Sequence, residues 1–197
     1  MGLLDSLLGR TKPVSANLDA LFSLPSAALT LQSAAGLISS SQAGVSWKSP
    51  PGQASQDLQK EIEDLLDLDE ENNPKVNSLR LTEDSFGYRW LMVQDPELEE
   101  LVTRVHMINS TLSDAGWGPQ LLCSVFGFIP SNDAPSDTIA FSLIYLFKRG
   151  TFYPFAPCGN EKRDTEFELR IRSMLDNDLP IESDLARWFP LWDLPVH

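Results

Sequence analysis

Cysteine and histidine are scarce in this chain of 197 residues, which has two of each. Cys123 lies in an apolar run and Cys158 lies in a predicted turn, and two cysteines do not make the disulfide framework of a small secreted domain. We therefore expect a reducing compartment. Zinc-type sites need several converging histidine, cysteine or carboxylate ligands, and His106 has no such partner at ligand spacing. The sequence thus predicts no metal site and no cofactor, with a structural role for His106.

Positive charge and long apolar runs are also in short supply. The chain has 15 lysines and arginines against 28 aspartates and glutamates, which gives a net charge of −13. Phosphates repel such a chain, so nucleic-acid binding is not expected. No apolar run reaches the roughly 18 residues of a transmembrane helix, and Asp5 interrupts the first apolar residues too early for a signal peptide. These absences predict an acidic cytoplasmic protein with no integral membrane segment and at most peripheral membrane contact.

The motifs of common catalytic sites are missing as well. The chain has no nucleophile elbow, dinucleotide fingerprint, phosphate-binding loop or H-E-x-x-H sequence. A non-enzymatic protein is therefore the first hypothesis. The alternative is a small hydrolase or transferase whose site places Cys158 or His106 beside carboxylates in a deep pocket.

What the chain does contain is periodic hydrophobicity over most of its length. Residues 1–13 form an N-terminal amphipathic segment with its leucines on one side, and residues 14–197 are expected to form a single domain. Helices are predicted over residues 17–24, 57–68, 95–115 and 164–176. Strands are predicted over residues 78–81, 88–93, 120–128, 138–148 and 151–153. The apolar tail that follows the last helix is expected to pack on its own domain.

The arrangement of these elements indicates an α+β fold. Strands come in hairpins without regular βαβ alternation, which predicts an antiparallel or mixed sheet of about five or six strands with helices packed on its faces. Pro25 is expected to stop the first helix. Residues 36–48 contain two short β-like runs around Gly44 and are expected to form a weak hairpin.

The segment at residues 148–157 is the most unusual stretch. Two cations and three aromatic residues lie in it: Lys148, Arg149, Phe152, Tyr153 and Phe155. Pro154 cannot donate a ladder hydrogen bond, so its strand is expected at an edge of the sheet. We hypothesise that these residues form part of a partner-binding surface, with salt-sensitive cations and aromatic anchors. In the competing interpretation the aromatics fill the core, and their alternation along the strand would allow that for only some of them.

Five stretches carry a family resemblance: MGLLD through GRTKP at residues 1–13, NLDALF through LPSAA at 17–28, NSTL through GPQLLC at 109–123, YLFKRGTFYPFAP at 145–157, and DLPIE through RWFP at 178–190. They resemble the bacterial and archaeal family of PspA-associated protein B (PspAB). The run at residues 148–157 is the most distinctive. The resemblance is weakest over residues 37–82 and 129–138, which are expected to be variable loops and edges.

The resemblance implies an accessory or adaptor role in the phage-shock response, in which the membrane-binding coiled-coil protein PspA guards the cell envelope. It implies a protein partner, either a PspA-like protein or an HtpX-type membrane peptidase of the kind encoded near family members. It names no catalytic residue, so none is carried over. The α+β pattern is also loosely similar to secretion-chaperone and YbjN-like folds, so a chaperone-like module that binds protein segments is a further alternative.

Overall fold

The structure is a computed structural model that describes residues 17–50, 52–72, 79–192, 194 and 196, without the side chains of residues 67–72. The predicted amphipathic segment at residues 1–13 lies outside this part. The α-helices of the described residues are α1 (Leu24–Ala35), α2 (Gln53–Asn72), α3 (Leu98–Leu112) and α4 (Thr165–Leu175). The strands are β1 (Leu37–Trp47), β2 (Leu79–Glu83), β3 (Arg89–Gln94), β4 (Leu121–Pro130), β5 (Phe141–Leu146) and β6 (Thr151–Phe155).

The strands form one six-stranded sheet in the order β2-β3-β1-β4-β5-β6. Every neighbouring pair is antiparallel, which confirms the predicted α+β class and its hairpins. Strand β6 lies at an edge, as Pro154 predicts, because a proline has no N–H to offer a further strand. Strands β2 and β3 are neighbours in both the sequence and the sheet, and so are β4, β5 and β6. Strand β1, which comes first in the sequence, lies between these two groups in the sheet.

The prediction of a weak hairpin at residues 36–48 is wrong. The region is the long central strand β1, which pairs with β3 on one side and β4 on the other. Its register against β4 shifts between Ser39 and Ala43, and Ser41 has a φ of 64° there. The local break is therefore a β-bulge, which kinks a strand without reversing it. The prediction that residues 37–82 are loops and edges is wrong for residues 37–47, which form a central strand, whereas β2, which begins at Leu79, is an edge strand.

Pro25 does not stop a helix. A 3-10 turn over Leu18–Ser23 runs directly into α1, and Pro25 lies in the first turn of α1. A proline is tolerated there because the first helical N–H groups have no partner within the helix. The preceding residue, Asn17, makes no side-chain cap; its backbone oxygen instead accepts a hydrogen bond from the Tyr145 hydroxyl at 2.9 Å, which ties the start of the described chain to β5.

The four helices contribute their apolar residues to one face of the sheet, which we call the helix face. Its buried core includes Leu31, Trp47, Val105, Phe126 and Phe152. The opposite face is apolar too, and the described residues between 176 and 196, here called the tail, cover it with the buried Trp188 and Val196. The prediction that the tail packs on its own domain is confirmed. The sheet is therefore buried on both faces, although its helices lie on only one of them.

The tail approaches the sheet most closely at Gly127 of β4. Ser40 Oγ donates a hydrogen bond to the Val196 backbone oxygen at 3.1 Å, and a Cβ at Gly127 would overlap both of those oxygen atoms. Glycine is needed here so that another backbone can pass directly over the strand.

We expect Gly127→Ala to displace the end of the tail, because ladder hydrogen bonds to β1 and β5 hold β4 in place while the tail at Val196 belongs to no strand. The variant should melt at a lower temperature and lose its C-terminal residues faster to limited proteolysis, as followed by mass spectrometry. Gly118→Ala is the control, since the nearest atom to its new Cβ is Ser113 Oγ at 3.3 Å. Equal melting and equal protection of the tail in both variants would contradict the predicted overlap.

Candidate functional site

A pocket of about 550 Å³ lies between the sheet and the tail. Its floor consists of side chains from five strands, namely Ser46, Trp90, Cys123, Leu146 and Tyr153. Its walls are residues 189–192 of the tail on one side and the turn between β2 and β3 on the other. Small-molecule and anchor-residue pockets commonly have this size and this apolar, aromatic character. Sequence reasoning missed the pocket, because its lining comes from distant positions between residues 46 and 192.

Asp84 shapes the wall formed by the β2–β3 turn. One of its carboxylate oxygens accepts hydrogen bonds from the N–H groups of Phe86 and Tyr88, each at 2.9 Å. The other accepts from Trp90 Nε1, also at 2.9 Å. This carboxylate is therefore engaged in fixing the turn and the orientation of the Trp90 ring. The turn leaves Phe86 60% exposed at the rim of the pocket.

Polar side chains of β6 and of the loop between β6 and α4 hold the other wall in place. Arg163 Nη1 donates to the Trp188 backbone oxygen at 2.6 Å, and its Nε lies 2.8 Å from a carboxylate oxygen of Glu168. The Tyr153 hydroxyl donates to the Phe189 backbone oxygen at 2.9 Å. These bonds satisfy backbone oxygens of an irregular segment that lacks the regular backbone hydrogen bonds of a helix or strand. They fix the tail residues that line the pocket.

Glu168 is fully buried beneath this contact. Its burial raises the pKa of the carboxyl group above the ordinary value, and hydrogen bonds from Arg163 and from the Ala156 N–H offset only part of that increase. The ionised carboxylate in the folded state therefore depends on the charge of Arg163.

The two cations predicted to bind a partner have different surroundings. Lys148 is exposed, and its Nζ donates to the Pro119 backbone oxygen at 2.8 Å. Arg149 forms a two-point contact with the carboxylate of Glu182, a tail residue that is 1% exposed. Burial opposes ionisation of Glu182, but the hydrogen bonds it receives outweigh this and lower its pKa. Arg149 is thus part of the attachment of the tail, while Lys148 remains open to solvent.

The three predicted aromatic anchors are all buried within the chain. Phe152 packs on the helix face, while Tyr153 and Phe155 pack under the tail. The expectation that alternation would leave some of them exposed is wrong, because both faces of β6 are covered. The free edge of β6 is partly occupied too: the Phe152 N–H donates to the Pro180 oxygen at 2.9 Å, so the chain's own tail lies along that edge.

The nucleophile candidates do not gather in the pocket. Cys158 is exposed on a loop, and His106 packs its ring against Phe22 on the outside of α3, so neither lines the pocket. Cys123 does line it, but burial, followed by the nearby charge of Asp84, raises the pKa of its thiol to about 12. The thiol is therefore protonated near neutral pH and is a weak nucleophile.

Neither a metal-binding cluster nor a membrane-spanning helix occurs in the described part of the chain. There, no three side chains of histidine, cysteine, aspartate or glutamate are grouped so that they could hold a metal ion. Within the same residues, none of the helices combines the length and apolar character that a bilayer crossing requires.

We expect the two cysteines to differ sharply in reactivity. N-ethylmaleimide should label Cys158 of the folded protein rapidly and Cys123 only after unfolding, since a buried thiol with a raised pKa offers almost no thiolate. Mass spectrometry of the native protein should show one adduct, and Cys158→Ser should abolish it. Rapid native labelling at Cys123 would mean that its thiol is more open or more acidic than the structure shows.

We expect Arg163→Met to lower the free energy of unfolding by about 3 kcal/mol. This value is at the lower end of the range for removing one partner of a buried ion pair, because the Arg163 side chain is partly exposed. Without Arg163, the raised pKa of Glu168 rises further, so ionising this carboxyl group costs folding stability. The deficit relative to the parent should thus be largest near neutral pH and shrink as the pH falls toward the ordinary carboxyl pKa. Urea unfolding of the parent and the variant over that pH range measures the difference in their free energies of unfolding. A difference that stays constant with pH would contradict the proposed role of Glu168 ionisation.

The family model described as PspA associated protein B matches residues 1–196, and so takes in the N-terminal segment, every wall of the pocket and the tail. No curated protein and no solved structure matches the chain.

Proposed function

Because this chain belongs to the PspA-associated protein B family, we propose that it is a non-enzymatic accessory protein of the phage-shock response that acts by binding a protein partner. The observation that carries the proposal is the family match over almost the full length of the chain. The family description points to a PspA-like protein as the partner. It gives no support to an HtpX-type peptidase.

The chemistry of the pocket favours binding over catalysis. Its thiol, Cys123, is held in the protonated form, and its carboxylate, Asp84, already accepts hydrogen bonds from three donors. A nucleophile or a general base needs a free, reactive form of such a group. An apolar pocket with rigid walls can nevertheless supply a specific contact to another molecule.

Lys148 is the residue of the predicted hairpin surface that stays available to a partner. It is exposed at the turn between β5 and β6 in a strongly acidic chain, and among the described residues one of its three ammonium protons is used, in the bond to Pro119. Exposed cations of this kind steer an acidic partner and make the association sensitive to salt. We place Lys148 at the edge of the partner contact.

The proposal is tested with the purified PspA-like protein encoded in the same genome. We expect the parent chain to bind it, and Lys148→Ala to weaken binding by about two- to fivefold, the range for an exposed charge. The effect should diminish in high salt, and the melting temperature should not change. Isothermal titration calorimetry at low and high salt measures both effects.

Lys60→Ala is the matched control, because Lys60 is an exposed lysine on α2, remote in sequence from the hairpin. Arg149→Ala is unsuitable as a probe of binding, since it leaves the buried Glu182 without its cation and should destabilise the tail. Failure of the parent to bind any PspA-like protein would overturn the proposal. Equal binding by the Lys148→Ala variant would remove this residue from the contact.

A further inference from the structure

Two exposed phenylalanines flank the pocket on opposite sides. Phe86 lies on the turn between β2 and β3 and is 60% exposed, and Phe189 lies on the tail and is 58% exposed. Both belong to the pocket lining, so the apolar surface extends from the floor over the two rims. A contiguous apolar surface of this kind, in contrast to single exposed side chains, marks a site of interaction.

The two rims are held in place without any partner. Asp84 fixes the turn that carries Phe86, and the Tyr153 hydroxyl fixes the backbone oxygen of Phe189. A surface already formed in the free protein avoids much of the ordering cost of association. The pocket can therefore accept a large apolar side chain at a low conformational cost.

Two exposed lysines lie close in the chain to residues that line this pocket. Lys48 directly follows the end of β1 and is two residues beyond Ser46 of the pocket floor. Its N–H donates to the Gln120 oxygen, and Lys148 Nζ donates to the neighbouring Pro119 oxygen. The two lysines thus flank the start of β4, which leads directly into the pocket. Within the described residues, neither forms an ion pair with an acidic side chain.

The extent of the apolar surface decides between possible occupants. A small anionic amphiphile would fill the pocket but leave the exposed rims uncovered. A polypeptide segment can place one side chain in the pocket, cover Phe86 and Phe189 with its neighbours, and present carboxylates to the two lysines.

We propose that this pocket is the docking site for an acidic segment of a protein partner, with one large apolar side chain inserted between Phe86 and Phe189 and carboxylates beside Lys48 and Lys148. The inference rests on the proposed partner-binding function and names the surface that performs it. The occupant is defined by its chemistry: a bulky apolar residue with acidic neighbours.

The first test uses two synthetic peptides that share the same leucine and phenylalanine positions, one with glutamates between them and one with lysines. We expect the acidic peptide to bind the full chain at least about tenfold more tightly, as followed by the fluorescence of Trp90 and Trp192 in the pocket lining. The double variant Phe86→Ser, Phe189→Ser should lose about tenfold or more in affinity for it. Both side chains are more than half exposed, so their loss should leave the fold intact.

Leu29→Ser is the matched control, since Leu29 is 67% exposed on α1 and does not line this pocket. It should bind the acidic peptide like the parent. The double variant Lys48→Ala, Lys148→Ala should reduce the preference for the acidic peptide over the basic one. Failure of the acidic peptide to bind, equal binding of both peptides, or an equal loss in the control would overturn the inference. Binding of laurate without binding of either peptide would identify a lipid-like ligand and overturn it as well.

The second test repeats these titrations with the purified PspA-like protein, so that the two proposals can fail separately. If the parent binds this protein and the phenylalanine double variant binds equally well, the pocket inference fails and the proposed function stands. If the parent does not bind it, the proposed function fails, and the peptide titrations alone decide whether the pocket recognises an acidic segment. Loss of binding only in the pocket variants supports both.

Discussion

The constraint on which this structure depends is that its central sheet is apolar on both faces. Strand β4 turns Phe126 toward the helices and Val125 away from them, and both side chains are fully buried. Exposed, either face would leave a large apolar area in water. The helices pack on one face, and the C-terminal tail packs on the other. Because the tail covers the second face, the sheet has a glycine, Gly127, where the tail crosses it. The buried carboxylates of the ion pairs and the pocket also lie where the tail meets the rest of the domain.

An irregular segment can cover a sheet only if its backbone groups find partners, because it has no repeating hydrogen bonds of its own. Here Arg163 and Tyr153 donate hydrogen bonds to the backbone oxygens of Trp188 and Phe189, and Arg149 adds an ion pair with the Glu182 carboxylate. Such a cover follows the sheet less evenly than a helix would. The gap that remains becomes the pocket, with a rigid wall on each side. In this sense the same contacts that complete the core also form the surface on which we place partner binding.

The candidate site shows which features can be predicted from local sequence and which cannot. Residues 148–157 are unusual for an acidic chain, and the sequence singles them out correctly as a hairpin that ends at a sheet edge. It could not show that Arg149 has a buried partner 33 residues away, or that Phe152 and Tyr153 point into two different cores. Burial depends on what lies over each face, and the covering segments come from distant parts of the chain. The pocket was missed for the same reason.

By itself the sequence determined the elements whose signals are local. Apolar periodicity and an aspartate cap place α4, with the Asp164 carboxylate accepting from the Phe167 N–H at 2.9 Å, and alternation with turn residues gives the hairpins of an α+β fold. Tertiary structure alone decided that residues 37–47 are one central strand, since partners on both sides keep the chain extended through a bulge. It also decided that Pro25 begins a helix rather than ending one. Neighbours along the chain set the local conformations, but pairing and burial between distant segments set the topology and formed the pocket.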